Sequence, residues 1–212
     1  SKSKELNVST LPMPLYNLLK FYHAESNAFR KVHRLIDLFE WSIKWHTVVV
    51  VSDLLRDADI SNEMKVLFSS GLRVPSLGIW LHFYRDSLDA IQNPSFPYNE
   101  WEALLALEKK HQIVNFRNGY AHGATPSDEA CQKDCERLFP VLQKLIASAL
   151  FSDLQIAYSD GNQTCRFVGE EKIPTEMQIP DRSVYIVHKD NTGNMVFHLW
   201  PLAMTSTDPK NP

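Results

Sequence analysis

The chain has 212 residues, of which 44% are hydrophobic and 22% charged, so it is long enough for one substantial core with or without a small appended unit. Its formal net charge of −3 excludes a protein whose whole surface attracts nucleic acid, so any RNA contact must come from a local patch. The longest uncharged apolar run, residues 47–51, is far too short for a membrane span, and no targeting peptide is visible. We expect a soluble protein with no membrane partner.

The three cysteines do not form a disulfide framework. Cys131 and Cys135 are one helical turn apart, Cys165 stands alone, and no His or Cys pair near them has the spacing of a zinc site. We interpret them as reduced thiols, which favours a cytoplasmic location. The sequence predicts no metal site and no cofactor, and it contains no Gly-rich phosphate loop.

Two helices are predicted in the first quarter of the chain. The first is short and amphipathic, has a proline near its first turn and ends around residue 26. The second is the longest, from residue 27 to about 56, because apolar residues recur in alternating steps of three and four, even through the valines at 48–51. Its opening carries four basic residues, Arg30, Lys31, His33 and Arg34. Such a cluster is typical of a solvated surface, with an anion-binding face as the alternative.

Two shorter helices are predicted next. One is capped by Asp59 or Ser61 and ends at Gly71, while the other starts at Pro75-Ser76. Two prolines then indicate a loop at residues 93–97.

The fifth predicted helix leads to the residues of greatest functional interest. It starts at Asn99, where an Asn three residues before a Glu is typical of reciprocal capping. Apolar residues then recur from Trp101 to Phe116, a stripe of about five turns. The pattern predicts one continuous helix that carries Arg117 at its far end.

Four residues separate Arg117 from His122 in the stretch Val-Asn-Phe-Arg-Asn-Gly-Tyr-Ala-His-Gly at 114–123. In an unbroken helix, residues five positions apart are turned by about 140° and displaced by about 7.5 Å, so both side chains could not face one small substrate. Two arrangements would overcome this. Either Gly119 lets the chain bend, or two copies related by a two-fold axis place both pairs in one cleft.

The sequence Arg117-Asn118-x-x-Ala121-His122-Gly123 at a helix end resembles the signature of HEPN domains, helical bundles whose best-studied members are metal-independent RNases. In that family an Arg, often followed by a polar residue such as Asn, precedes a His by about four to six positions, and the active site forms at a dimer interface. The resemblance covers roughly residues 12–150. It implies RNA as a partner, a homodimer, and a catalytic role for Arg117, Asn118 and His122 alone.

These residue types suit the cleavage of RNA. RNA carries its own nucleophile, the 2′-hydroxyl, so the reaction needs a proton acceptor, a proton donor and a cation beside the phosphate. Histidine exchanges protons near neutral pH, so His122 suits either proton role. Arg117 would hold the phosphate through its fixed fork of donors, and Asn118 would orient the ring or the phosphate. In the alternative, structural interpretation, Arg117 caps helical carbonyls or pairs with a carboxylate, while His122 packs in a turn.

The last predicted helix begins with Thr125 as its cap and Pro126 in its first turn, and Pro140 is expected to kink it. His122 would therefore lie in a short link between two helices, next to a helix N-terminus that favours anions.

After residue 151 the pattern alternates, as in strands. Strands are predicted at 154–158, 164–168, 183–188 and 195–200, with 173–179 left open as a fifth, edge segment. A sheet of about four strands has too little core to be stable alone, so it should pack on the helices.

The sequence thus predicts an α+β fold, mainly a HEPN-like α-helical bundle with a small C-terminal antiparallel sheet. The predicted units are a polar extension at 1–11, the bundle at 12–150, the sheet at 151–204 and a disordered tail or linker at 205–212. Such a tail is typical of one module of a larger protein.

Three functional hypotheses remain open on the sequence. The first is a HEPN-like, metal-independent endoribonuclease or RNase-derived effector domain of bacterial antiviral defence or of a toxin-antitoxin system, restrained by an antitoxin or by further domains. The second is a non-catalytic dimerisation or RNA-sensing module of the same ancestry. The third is a plain protein-interaction bundle in which Arg117 and His122 are structural.

Overall fold

The computed structural model describes residues 8–55, 61–71, 76–92, 102–123, 125–146, 154–159, 162–178, 184–190 and 193–198. In these ranges a short 3-10 turn, seven α-helices and a five-stranded antiparallel sheet confirm the predicted α+β, mainly helical fold class. The helices are α1 (Met13–Ala24), α2 (Ala28–Leu54), α3 (Asn62–Gly71), α4 (Leu77–Ala90), α5 (Glu102–His111), α6 (Ile113–Ala121) and α7 (Asp128–Ile146). The strands are β1 (Leu154–Ser159), β2 (Thr164–Val168), β3 (Glu171–Thr175), β4 (Val184–Asp190) and β5 (Gly193–His198).

Helix α2 is the central element of the bundle. Its 27 residues span about 40 Å, and α1, α4, α6 and α7 all pack against it. The side chain of Asn27 caps it by accepting a hydrogen bond from the backbone N–H of Arg30 at 2.9 Å. Residues 48–51 are helical, which confirms that the helical period overrides the strand propensity of four consecutive valines.

The core is formed mainly by apolar side chains of α2 and of the helices around it. Burial of one large apolar side chain favours folding by about 1.5–3 kcal/mol before the loss of conformational entropy is counted. The largest residues that are almost fully buried are Tyr84, Phe39, Phe83, Leu11, Leu15, Leu35, Leu38, Ile43, Leu104, Ile113 and Leu138. Polar groups join the helices as well, since the buried hydroxyl of Thr47 contacts the carbonyl oxygen of Trp80 on α4 at 3.2 Å.

The prediction of one continuous helix up to Arg117 is wrong. Gln112 has φ 51° and ψ 50°, a left-handed conformation that ends α5 and starts α6. The left-handed conformation is unfavourable for a residue other than glycine, and two hydrogen bonds of the Gln112 side chain offset part of this cost. Its Nε2 donates to the carbonyl oxygen of Lys109 at 2.8 Å, and its Oε1 accepts from Asn115 at 2.9 Å. The break lets Leu104 of α5 and Ile113 of α6 both reach the core. The predicted cap at Asn99 lies outside the described residues.

The caps of three other helices are seen directly. Ser61 and Ser76 accept backbone hydrogen bonds at the starts of α3 and α4, as the sequence indicates. The predicted cap of α7 was two residues too early, because Ser127, not Thr125, accepts from the N–H of Ala130 at 3.2 Å. Pro140 lies inside α7, where its missing N–H leaves the carbonyl of Glu136 without the usual helical donor.

The sheet has the strand order β3-β2-β1-β4-β5, and every neighbouring pair is antiparallel. The four predicted strands are confirmed. The fifth segment, predicted at 173–179, overlaps the edge strand β3, which begins earlier, at Glu171, and ends at Thr175. Its Pro174 is tolerated there because an edge strand pairs on one side only.

The sheet is joined to the start of the bundle through the turn between β2 and β3. Pro12 forms a β-bridge with Val168, and the N–H of Gly169 donates to the carbonyl oxygen of Leu11 at 2.8 Å. Beside them Lys20 forms an ion pair with Glu170. The predicted packing of sheet on helices is therefore seen, whereas the boundary near residue 151 lies outside the described residues.

Within the described ranges, none of the helices has both the length and the apolar character that a membrane crossing requires. The polar extension up to residue 7 and the predicted tail at 205–212 also fall outside these ranges.

We predict that Gly169→Ala destabilises the protein by about 1–3 kcal/mol. Gly169 has φ +57°, and an added Cβ would meet the backbone oxygen of Ser9 at 2.9 Å. Urea denaturation followed by circular dichroism measures the loss. Gly78→Ala is the matched control, because Gly78 is helical and its added Cβ would find its nearest contact at an ordinary 3.8 Å. Equal stability of the two variants would show that the close approach of Gly169 to Ser9 does not require a glycine.

Candidate active site

The structure brings Arg117 and Asn118 together with a carboxylate from α2. The Nε of Arg117 donates to Oε1 of Glu40 at 2.9 Å, and Nη1 donates to Oδ1 of Asn118 at 3.2 Å. The side chain of Arg117 is 36% exposed and that of Glu40 is 20% exposed. The guanidinium is thus held at its inner side, while its outer edge keeps N–H groups that can donate to an anion.

Glu40 lies between two cations. Its second oxygen, Oε2, accepts from Nζ of Lys44, one helical turn further along α2, at 3.0 Å. Burial alone would raise the pKa of the Glu40 carboxyl, but hydrogen bonds from Lys44 and Arg117 outweigh it and hold that pKa below its ordinary value. Glu40 is therefore ionised at neutral pH, and the cluster of Arg117, Glu40 and Lys44 carries one positive charge in excess.

His122 lies apart from this cluster at the end of α6. It is the C-cap residue, with φ −99° and ψ 31°, and its backbone N–H donates to the carbonyl oxygen of Asn118 at 3.2 Å. Its side chain is exposed. As predicted, it occupies the link between two helices, with α7 starting at Asp128.

Gly119 does not bend the chain between the two motif residues. It lies inside α6, which runs without a break to Ala121, and the left-handed glycine is Gly123, with φ +86°. Arg117 and His122 therefore keep the angular offset of an intact helix. Of the two arrangements considered for bringing them to one substrate, the bend is wrong, and the pairing of two copies stays a prediction.

Tyr120 anchors α6 to α7 directly behind the motif. Its hydroxyl donates to Oδ2 of Asp134 at 2.8 Å, and Asp134 in turn accepts from Arg137 at 2.8 Å. Burial, followed by the hydrogen bond to Asp134, raises the pKa of Tyr120 far above its ordinary value, so the hydroxyl stays protonated. The ring also contacts Phe116, one turn earlier on the same helix, with centroids 5.1 Å apart.

The basic residues at the start of α2 do not form one anion-binding face. Arg30 pairs with Glu25 at 3.4 Å, and Arg34 pairs with Asp37 at 3.5 Å. The other two point elsewhere, because His33 packs edge-on against the ring of Tyr120 and Lys31 lies over the ring of Tyr22. Helical rotation thus spreads the four side chains over different neighbours.

The cysteines Cys131, Cys135 and Cys165 are free and buried. In the part of the chain that the structure describes, no group of three or more His, Cys, Asp or Glu side chains is arranged as a metal site.

Comparison of the chain with known protein families, with curated proteins and with solved structures gives no match. The geometry of the site is therefore the basis for the functional argument.

Glu40 and Lys44 are the members of the site that sequence reasoning did not find. Their spacing of four residues is typical of any surface ion pair on a helix, so it does not point to a site. The contact of Glu40 with Arg117 joins residues 77 positions apart, and no local pattern encodes it.

We predict that Glu40→Gln lowers the free energy of unfolding by about 1 kcal/mol at pH 7, since it removes the charge of a partly buried ion pair. The folded-state pKa of Glu40 is depressed, so its contribution is present above the unfolded-state value of about 4.5 and is lost as pH falls through the folded-state value. Urea denaturation of both proteins across this pH range should show the difference shrinking with acid.

The control for this comparison is Glu129→Gln, because Glu129 is highly exposed in its pair with Lys133. It should change stability little at any pH. A difference between wild type and Glu40→Gln that stays constant with pH would show that the ion pair is not its source.

Proposed function

We propose that this chain is a HEPN-like, metal-independent endoribonuclease, or an RNase-derived effector domain, that acts on RNA as a homodimer. The observation that carries the proposal is the half-exposed guanidinium of Arg117, fixed by Glu40 and Asn118 close to the helix end that carries the exposed His122. The sequence around these residues resembles the HEPN signature, and the helical bundle suits that resemblance.

The charge at the site supports binding of a phosphate group. Arg117 and Lys44 share the single carboxylate of Glu40, so the cluster remains positive although the whole chain is negative. A phosphodiester can contact the outer edge of the guanidinium without breaking the bond from Nε to Glu40. Glu40 would then act as a positioning residue, which sets the direction in which Arg117 presents its donors.

The proposed reaction is a transfer within the RNA strand. A base removes the proton of the 2′-hydroxyl, whose oxygen attacks the adjacent phosphorus and forms a 2′,3′-cyclic phosphate. The bond from phosphorus to the 5′-oxygen breaks, and an acid gives that oxygen a proton. His122 supplies a proton role, and Arg117 stabilises the extra negative charge on the phosphorane oxygens.

The geometry of α6 supports a dimer. One copy offers one Arg and one His on different sides of a helix, whereas two copies offer two of each, so one His122 can serve as base and the other as acid. Gly119 favours such an approach, because it is exposed and an added Cβ there would meet no other described part of the chain within 4 Å. A second helix can therefore come close to α6 at this residue.

A partner that controls the activity is part of the proposal. An effector nuclease in a toxin-antitoxin or antiviral defence system needs restraint, which an antitoxin or further domains of a larger protein would provide.

A second candidate is a non-catalytic module of the same ancestry, for dimerisation or RNA sensing. The specific observation in its favour is that Arg117 pairs with a carboxylate, the arrangement expected of a structural arginine, and that His122 stands apart from it within one chain. A plain protein-interaction bundle is compatible with the same contacts.

We predict that the protein is a homodimer in solution through α6 and that Gly119→Arg converts it to a monomer. The added side chain would occupy the space between the two helices, yet its Cβ would meet no other described residue of its own chain within 4 Å. Light scattering coupled to size-exclusion chromatography measures the mass. Gly78→Arg on α4 is the control and should leave the dimer intact; a monomeric wild type at micromolar concentration would count against the nuclease.

We predict that the purified protein cleaves RNA in EDTA and leaves cyclic phosphate ends. His122→Ala should slow cleavage by about 10²- to 10⁴-fold by removing a proton transfer. Arg117→Ala should be at least as damaging, because it removes stabilisation of about 3–4 kcal/mol in the transition state. Gel electrophoresis of single-stranded and structured RNAs gives the rates, and mass spectrometry identifies the ends.

The controls are His82→Ala and Arg85→Ala, two exposed residues of α4 whose side chains contact each other at 2.7 Å. Both control variants should cleave RNA at the rate of the wild type. Arg117→Ala should remain folded, since Glu40 keeps Lys44 as its partner. Cleavage that requires magnesium, or that survives both motif substitutions, would refute the mechanism, and intact RNA throughout would favour the non-catalytic module.

A further inference from the structure

A groove of about 570 Å³ lies between the end of α1, the start of α2 and the middle of α7. Its lining combines two aromatic rings, a cation and several polar groups, contributed by Tyr22, Lys31, Gln132, Cys135, Glu136 and Phe139. Arg117, Asn118 and His122 are not among its lining residues. The volume falls within the range of about 300–1,000 Å³ that is typical of small-molecule sites.

One wall of the groove is flat and apolar. The rings of Tyr22 and Phe139 are stacked with centroids 4.3 Å apart and planes 13° apart, and His23 meets Phe139 at a steep angle, with centroids 5.3 Å apart. Tyr22 is 4% exposed, with Phe139 stacked on its ring and the ammonium of Lys31 over it, so a ligand ring would stack on the half-buried Phe139. A planar ring is the ligand shape that such a wall accommodates with the largest contact area.

Lys31 places a positive charge in the groove. Its ammonium lies 5.1 Å from the centre of the Tyr22 ring, and the side chain is half-buried. Among the described residues, no carboxylate lies within ion-pair distance of Lys31, in contrast to Arg30 and Arg34 on the same helix. A half-buried ammonium group that contacts an aromatic ring but no carboxylate is stabilised further when an anion binds to it.

The remaining polar groups of the groove are neutral or accept hydrogen bonds. Burial raises the pKa of the Cys135 thiol, so this side chain is a protonated wall group and not a nucleophile. The carboxylate of Glu136 also lines the groove, and the side-chain amide of Gln132 donates a hydrogen bond to its Oε1 at 3.0 Å.

We propose that this groove binds a small planar anion. The ring lies against Phe139, and its negatively charged group contacts Lys31. A nucleoside monophosphate and an aromatic carboxylate share this chemistry, a flat ring with an attached anion. The proposal does not depend on the nuclease activity.

Isothermal titration calorimetry of the full chain tests the site with four probes. Adenosine 5′-monophosphate and benzoate represent the two sources of a planar anion, adenosine is the ring without the charge, and inorganic phosphate is the charge without the ring. We expect saturable binding of one or both planar anions, with adenosine and phosphate at least about 10-fold weaker. The planar anion that binds more tightly identifies the source.

Substitutions place the binding in the groove. Lys31→Met should weaken binding of the planar anion by about 10-fold or more. Lys31→Gln is the second variant in case the first does not fold. Lys133→Met, on the exposed side of α7 and paired with Glu129, should bind as the wild type does. Arg117→Ala should also bind normally, which separates this groove from the proposed nuclease site.

Three results would overturn the proposal. Neither planar anion binds at millimolar concentration, or adenosine or phosphate binds as tightly as the planar anions, or Lys31→Met binds as the wild type does. Each of these results leaves the nuclease proposal unaffected, since RNA cleavage is measured separately.

Discussion

Burial of α2 on most of its circumference is the constraint on which the rest of the structure depends. Sixteen of its residues are buried, including polar ones such as Ser42 and Thr47. A helix of this kind cannot be stable in water, because its apolar surface needs cover on several sides at once. Helices α1, α4, α6 and α7 supply that cover, so their positions are set by one shared partner.

The candidate site lies where this cover is incomplete. Glu40 occupies a half-exposed position of α2, and its carboxylate forms an ion pair with Arg117 of α6. Tyr120, three residues further along the same helix, joins it to Asp134 of α7. Two polar contacts thus fix the rotation of α6, and with it the different directions in which the two motif residues project.

Sequence reasoning found most elements because their signals are local. Periodic apolar residues and polar caps defined α2 and α4, and alternation defined the strands. It failed at Gln112, since a left-handed glutamine has no sequence signature and the apolar stripe continues on both sides of it. Within the candidate site, the local motif predicts Arg117, Asn118 and His122. It does not predict Glu40, because the contact of Glu40 with Arg117 joins segments that are distant in sequence.

The link between the sheet and the start of α1 has a consequence for the order of folding. Lys20 and Glu170 are 150 residues apart, so their contact closes a large part of the chain into a loop. Closing a long loop costs conformational entropy that local helix formation does not, and contacts of this separation form late. During synthesis the helices can assemble as they emerge, while residues 8–12 must wait until β2 has been made to supply their neighbouring strand. These residues thus reach their final place later than the helices that follow them.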